Sequence, residues 1–320
     1  MPLCKNDGLE MYKRMLRIRL FEEKAVQLFQ EGSMPGRVFP CTGEEAVSAG
    51  VSMHLDDHDY ITSTHRPNGH LIAKGISLKE MMAELFGKNE GSCAGKGGPM
   101  HIADIEKGIL GANGIVGGGF PIAVGAAFAH HYKKQRGVAV CYFGDGATNQ
   151  GTFHEALNLA SIWSLPVIFV CENNSYGMSM KQEDHQRIAD IVERAPAYRI
   201  PAEIVDGNDA AAVFEQAGKA VKKAREGEGP CFLECKTYRK TGHSAEDQQA
   251  YRPENELSQW QSKDPIQRLS RLLQEEEEVQ SNELLMVEQE IKREIEEAVE
   301  FAYESASPQP GDALLHAFCR

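Results

Sequence analysis

Residues 137–179, GVAVCYFGDGATNQGTFHEALNLASIWSLPVIFVCENNSYGMS, constrain the fold more than any other stretch of the chain. An apolar run at 138–143 lies between glycines, the mark of a buried strand. Thr152-Phe153-His154-Glu155 has the S/T-x-x-E spacing of a capping box, and a helix through Ala156, Leu157, Leu159, Ala160 and Trp163 is expected behind it. Pro166 stops that helix, residues 167–171 form a second apolar run, and residues 172–177 leave it as a polar loop. Strand, helix and strand at this length make a βαβ unit, so the two strands run parallel.

Parallel strands end on the same edge of a sheet. Asp145 and Asn174, distant in sequence, are therefore expected side by side, at the edge where open α/β sheets bind ligands. A carboxylate, an amide oxygen and free loop carbonyls are the oxygen set that suits Mg²⁺ or Ca²⁺. Gly144, Gly146 and Gly151 let main chain approach a bulky anion. The residues alone imply a cation carrying a phosphorylated cofactor.

The rest of the chain reads as more of the same fold. Helices are expected at 8–31, 44–53, 78–86, 121–134 and 210–225, and short strands at 60–63, 202–205 and 231–238. Loops are expected at 64–70, at the glycine-rich 91–101 and 113–119, at the polar 180–191 and at 239–247. Small residues at 123, 125, 126, 127 and 129 suit a helix packed closely on a sheet. The fold class is α/β, a doubly wound, mostly parallel sheet with helices on both faces. Residues 1–320 read as one domain, with a helical C-terminal extension from about residue 265. Neither Gly117-x-Gly119 nor Gly144-x-Gly146 has a third glycine where a dinucleotide fingerprint needs one, because Ile122 and Asn149 stand there. That argues against an NAD-binding oxidoreductase.

Composition excludes other classes. With 320 residues, 42% hydrophobic and 25% charged, the chain can bury a large core, as a water-soluble domain does. A net charge of −13 without a basic stripe gives nucleic acid no footprint. No apolar run is long enough to cross a membrane, and the N-terminus lacks the apolar segment of a signal peptide. The eight cysteines show no metal spacing and read as reduced thiols in a cytoplasmic protein.

Gly144-Asp145-Gly146, then residues 147–172, then Asn173-Asn174 resembles the thiamine diphosphate fingerprint. From about residue 11 to about 272 the chain is similar to the α subunit of the E1 component of 2-oxo acid and acetoin dehydrogenase complexes. The resemblance implies thiamine diphosphate with Mg²⁺ held by Asp145, Asn174 and the main-chain carbonyl of Tyr176. It implies that Gly144, Gly146 and Ala147 line the cofactor. Arg66, with His65 in the place of a family tyrosine, is implied to meet the diphosphate. His243, in YRKTGHS, is implied near the diphosphate and the reacting carbon, where a histidine can move protons. The main chain of Gly114 and Val116 matches positions that hold the aminopyrimidine, and His101, in GKGGPMH, is a weaker match.

The resemblance also implies partners. The aminopyrimidine needs a carboxylate at its ring nitrogen, and in this family it comes from a separate β subunit. No glutamate here matches it, and Glu45 reads as a helix-start residue favoured by the helix dipole. An α2β2 heterotetramer is therefore implied, with a lipoyl-bearing E2 as acceptor of the acyl fragment. Two other readings remain: a ketol or acyl transferase with a different acceptor, and a catalytically silent α-like subunit. Phe39 and Asn68 stand where pyruvate-type relatives carry substrate-facing histidines, which points to a neutral hydroxyketone or a bulkier donor.

Overall fold

A computed structural model describes residues 3–315. Its centre is a five-stranded sheet of β1 (Tyr60–Thr62), β2 (Ala139–Gly144), β3 (Val167–Asn173), β6 (Ala202–Asp206) and β7 (Cys231–Lys236), in the order β1-β2-β3-β7-β6. All four pairings are parallel. A two-stranded antiparallel hairpin, β4 (Tyr176–Gly177) and β5 (Met180–Lys181), stands apart. The helices are α1 (Lys5–Gln30), α2 (Glu45–Ser52), α3 (Asn68–Lys74), α4 (Leu78–Leu85), α5 (Gly119–Tyr132) and α6 (Gly151–Ile162). They continue with α7 (Gln182–His185), α8 (Ala210–Arg225), α9 (Glu256–Gln261), α10 (Pro265–Glu275) and α11 (Ser281–Glu304).

The central strands β2 and β3 are apolar over most of their length because both faces are covered. Alternate residues divide between two cores. Val140, Tyr142, Ile168, Val170 and Leu233 join Met11, Ala46, Val213, Leu269 and Ile295 on the face covered by α1, α2, α8, α10 and α11. Cys141, Phe143, Phe169, Cys171 and Phe232 join Phe120, Ala127, Phe153 and Ala160 under α5 and α6. The period of two along each strand thus builds both layers. Residues of α10 and α11 belong to the first core, beside those of α1 and α4.

Four local expectations are corrected. Thr152 caps nothing: α6 starts at Gly151 behind Gln150, and the Thr152 hydroxyl donates instead to the Gly117 carbonyl at 3.1 Å, tying the glycine loop to the helix. Residues 64–70 are not all loop, since α3 starts at Asn68 behind Pro67 and ends at Gly75, whose φ of 98° suits glycine. Gly125 faces open space, so the small residues of α5 that meet the sheet are Ala123 and Ala127. The polar stretch 180–191 holds β5 and α7 rather than loop alone. No described helix is long and apolar enough to cross a membrane. Seven cysteines are free thiols, Cys141 and Cys171 within the strands; Cys319 lies outside the described residues.

Candidate cofactor site

Gly144 pairs with Glu172 across β2 and β3, so the two strands end level. The loops that leave them, with 63–66, 113–119 and 239–243, enclose a cleft of about 560 Å³. Asp145 opens a short 3₁₀ turn, Asp145–Asn149, and is 1% exposed. Asn174 leaves β3 beside it. Its Nδ2 donates to Glu44 Oε1 at 2.7 Å, and its Oδ1 accepts from Tyr176 N at 3.1 Å. The amide is thereby oriented, with the oxygen left for any further contact. A Cβ added at Gly146 would sit 3.3 Å from Gly177 Cα, so a larger residue there would push these two close loops apart by a few tenths of an ångström.

These expected site residues line the cleft: His65, Arg66, Gly114, Val116, Gly144, Asp145, Gly146, Ala147, Asn174, Tyr176 and His243. The Tyr176 ring turns away, its hydroxyl donating to Glu256 Oε2 at 2.7 Å. Arg66 is buried, with Nη1 donating to the Pro40 carbonyl at 2.7 Å and Nη2 to the His243 carbonyl at 3.1 Å. The expected bidentate fork is therefore partly taken by main chain. Burial, then the neighbouring Arg239 charge, lowers the Arg66 pKa to about 10.

Three rings cluster in the cleft wall. Phe39 lies 5.4 Å from both His65 and His243, and the two histidines are 5.3 Å apart. Burial, with the Arg66 charge, lowers His65 to about 3 and His243 to about 4. Both are neutral near pH 7, and the buried Nε2 of His65 has no partner. Phe39 lines the cleft, but Asn68 does not. It is 3% exposed and donates to Glu22 Oε2 at 3.1 Å, because α3 turns its side chain into the core. His101 is exposed and outside the cleft, its ring against Gly114. Glu45 begins α2 and pairs with Arg19 at 2.5 Å.

Several lining residues carried no sequence expectation: Glu44, Glu172, Arg239, His185, Met178 and Met180. Arg239 had a signal, since it belongs to the YRKTGHS run. Glu44 lay one position from a recognised helix start. Burial raises its pKa, Glu172 adds to that, and Arg66 opposes it. Each of the cleft's three carboxylates has a polar neighbour: Glu44 Oε1 accepts from Asn174, Glu172 lies 3.0 Å from His70 Nε2, and Asp145 Oδ2 lies 3.2 Å from His185 Nε2, while Glu44 Oε2 has no hydrogen-bond partner. Among the described residues no three His, Cys, Asp or Glu side chains gather as a metal centre.

Residues 13–311 match the family model described as dehydrogenase E1 component. The chain is 49% identical to the α subunit of acetoin:2,6-dichlorophenolindophenol oxidoreductase of Bacillus subtilis, over 99% of this chain and 98% of that one. It is 46% identical to the protein of the same name from Cupriavidus necator, over 99% and 96%. Identity to the pyruvate dehydrogenase E1 component α subunit of Porphyra purpurea is 39%, over 99% and 94%. A match along nearly the whole length of the chain, with a cleft at the carboxyl ends of a parallel sheet, places it in one group: this chain belongs to the dehydrogenase E1 component family.

Proposed function

We propose that this chain is the thiamine diphosphate- and Mg²⁺-binding α-type subunit of an E1 enzyme whose donor is acetoin or a related neutral hydroxyketone. The observation that carries the reading is the joint placement of Asp145 and Asn174 at level strand ends, with Phe39 in the lining of the same cleft. Family membership implies thiamine diphosphate. The donor set fits a hard cation: one Asp145 oxygen beyond the His185 contact, the oriented Asn174 oxygen, and the Tyr176 carbonyl. Such a set holds a single carboxylate, which is why no cluster of His, Cys, Asp or Glu marks the site.

When bound, thiamine diphosphate supplies the carbanion and the electron sink. The chain's residues do the rest. Asp145, Asn174 and the Tyr176 carbonyl would hold Mg²⁺. Gly144, Gly146 and Ala147 let main chain approach the diphosphate, and Arg66, His65 and His243 face it. Gly114 and Val116 fix the aminopyrimidine through main-chain groups, without adding a titrating group. His243, neutral at working pH, is ready to take a proton from a donor hydroxyl and return it. In the reaction this reading implies, the bond next to the donor carbonyl would break, and the lipoyl disulfide of an E2 partner would oxidise the fragment by two electrons, one sulfur taking it as an acyl group and the other becoming a thiol.

No glutamate of this chain matches the family's activating one, so in this reading the activating carboxylate comes from a β-type subunit in an α2β2 assembly. Free thiols suit a reducing compartment such as the cytoplasm. The test is co-expression with a β-type chain, followed by acetoin-dependent dye reduction. Turnover should require both chains, thiamine diphosphate and Mg²⁺. Equal turnover by this chain alone would remove the proposal.

A further inference from the structure

His185 reaches the cleft from a stretch whose sequence gave no reason to expect it there. It ends α7, the single turn behind the β4–β5 hairpin, and its side chain is 11% exposed. Nε2 lies 3.2 Å from Asp145 Oδ2, and Nδ1 lies 3.0 Å from Asn149 Nδ2. Asn149 Oδ1 in turn accepts from Arg194 Nη2 at 3.2 Å.

The donors fix every proton in this row. A guanidinium only donates, so it faces the Asn149 oxygen and turns the amide NH₂ toward His185. Nδ1 must then accept, which leaves the ring proton on Nε2, aimed at Asp145 Oδ2. The contact uses one oxygen of the carboxylate and leaves Oδ1 outside it. Arg194 also donates to the Thr148 carbonyl at 3.2 Å and to Gln186 Oε1 at 3.2 Å, so one side chain ties the 145–149 turn to the end of α7. Space at Gly177 matters as well, because a Cβ there would lie 3.3 Å from His185 Nε2.

We propose that Arg194, Asn149 and His185 form a positioning relay that turns the Asp145 carboxylate toward the bound cation and fastens α7 over the diphosphate end. The proposal rests on the Mg²⁺ reading above. Hydrogen-bonded partners of a metal ligand set its orientation and basicity, and their loss costs roughly ten- to a hundredfold in metal affinity. The Gly146–Gly177 contact holds the hairpin close; the relay adds a polar fastening that bears on the ligand itself.

The experiment is a calorimetric titration of Mg²⁺ into the assembled complex at saturating thiamine diphosphate. His185→Ala should weaken Mg²⁺ binding by roughly ten- to a hundredfold. His185→Gln keeps a donor at the Nε2 position and should stay within about threefold of wild type, since the donor is what the relay supplies. Asn149 is exposed, so Asn149→Ala leaves the fold intact; it should weaken Mg²⁺ less than His185→Ala, and the double variant should add nothing to the single one. The acetoin KM should not move. Wild-type Mg²⁺ affinity in His185→Ala, or a Gln variant as weak as the Ala variant, overturns the relay. Asp145→Ala is the separate arm: unchanged Mg²⁺ affinity there overturns the cation site beneath it, whatever His185 does.

Discussion

Two clusters of side chains in the cleft are built differently. Around Asp145 the polar side chains are held by one another: Asn174 by Glu44, Asp145 by His185, Asn149 by Arg194. The loops there touch through glycines. Around Phe39 three rings meet at 5.3–5.4 Å, and the His65 Nε2 is left without a partner. Ligand oxygens oriented by fixed partners suit a ligand that never changes, the cation. A wall of one phenylalanine and two neutral histidines suits the ligand that turns over, although the histidines also face the diphosphate in this reading. Cation anchoring and proton chemistry thereby fall to different side chains of one cleft.

The largest effect that could break this contrast is at His243. His243→Ala should lower kcat by roughly 10²–10⁴-fold, the usual worth of a positioned acid–base group. Single-turnover and steady-state rates of the assembled complex measure it. A variant that turns over normally would move the proton chemistry elsewhere.

Phe39 gives the next effect. Phenylalanine cannot hydrogen-bond a carboxylate, whereas histidine can, and a charge-assisted contact of that kind is worth about 1.5–3 kcal/mol, or roughly ten- to a hundredfold. Phe39→His should therefore raise kcat/KM for pyruvate relative to acetoin by about tenfold or more. A ratio unmoved by the change would show that this wall does not choose the donor. Asn68 predicts no such effect, since it lies in the core against Glu22.

The last effect is on stability rather than on turnover. His65 titrates at about 3 in the fold against about 6.5 unfolded, because burial and Arg66 disfavour its cation. The unfolded chain therefore binds more protons between those values, so this contribution is complete above about pH 6.5 and is lost as pH falls toward 3. Buried Glu22 and Glu44, whose pKa values are raised, pull the other way as they take up protons. The difference between wild type and His65→Asn isolates the histidine. The variant should lose less stability between pH 6.5 and 4, by at most about 1.4 kcal/mol per pH unit. Parallel unfolding curves at all pH values would place His65 outside the desolvated wall.

The anchoring cluster was the legible one. GDG and NN are local runs on consecutive strands, and the rule for parallel crossovers brings their ends together. The three-ring cluster draws on residues 39, 65 and 243, which no local pattern connects; only the family resemblance pointed to them. Asn68 was misjudged because Pro67 starts a helix where a loop had been expected, and one helical turn carried its side chain into the core. Thr152 was misjudged because a capping spacing does not reveal that a distant carbonyl, that of Gly117, competes for the hydroxyl. His185 was invisible because its partners, Asp145 and Asn149, meet it only after the hairpin folds back.

The separation of anchoring from chemistry is tested most directly by titrating thiamine diphosphate with Mg²⁺ into assembled complexes carrying Asp145→Ala or His243→Ala. The account predicts that Asp145→Ala loses cofactor affinity by at least about a hundredfold, about 2.7 kcal/mol or more, while His243→Ala stays within about tenfold of wild type and still fails to turn over. Wild-type affinity in Asp145→Ala, or equal losses of affinity in both variants, would contradict it.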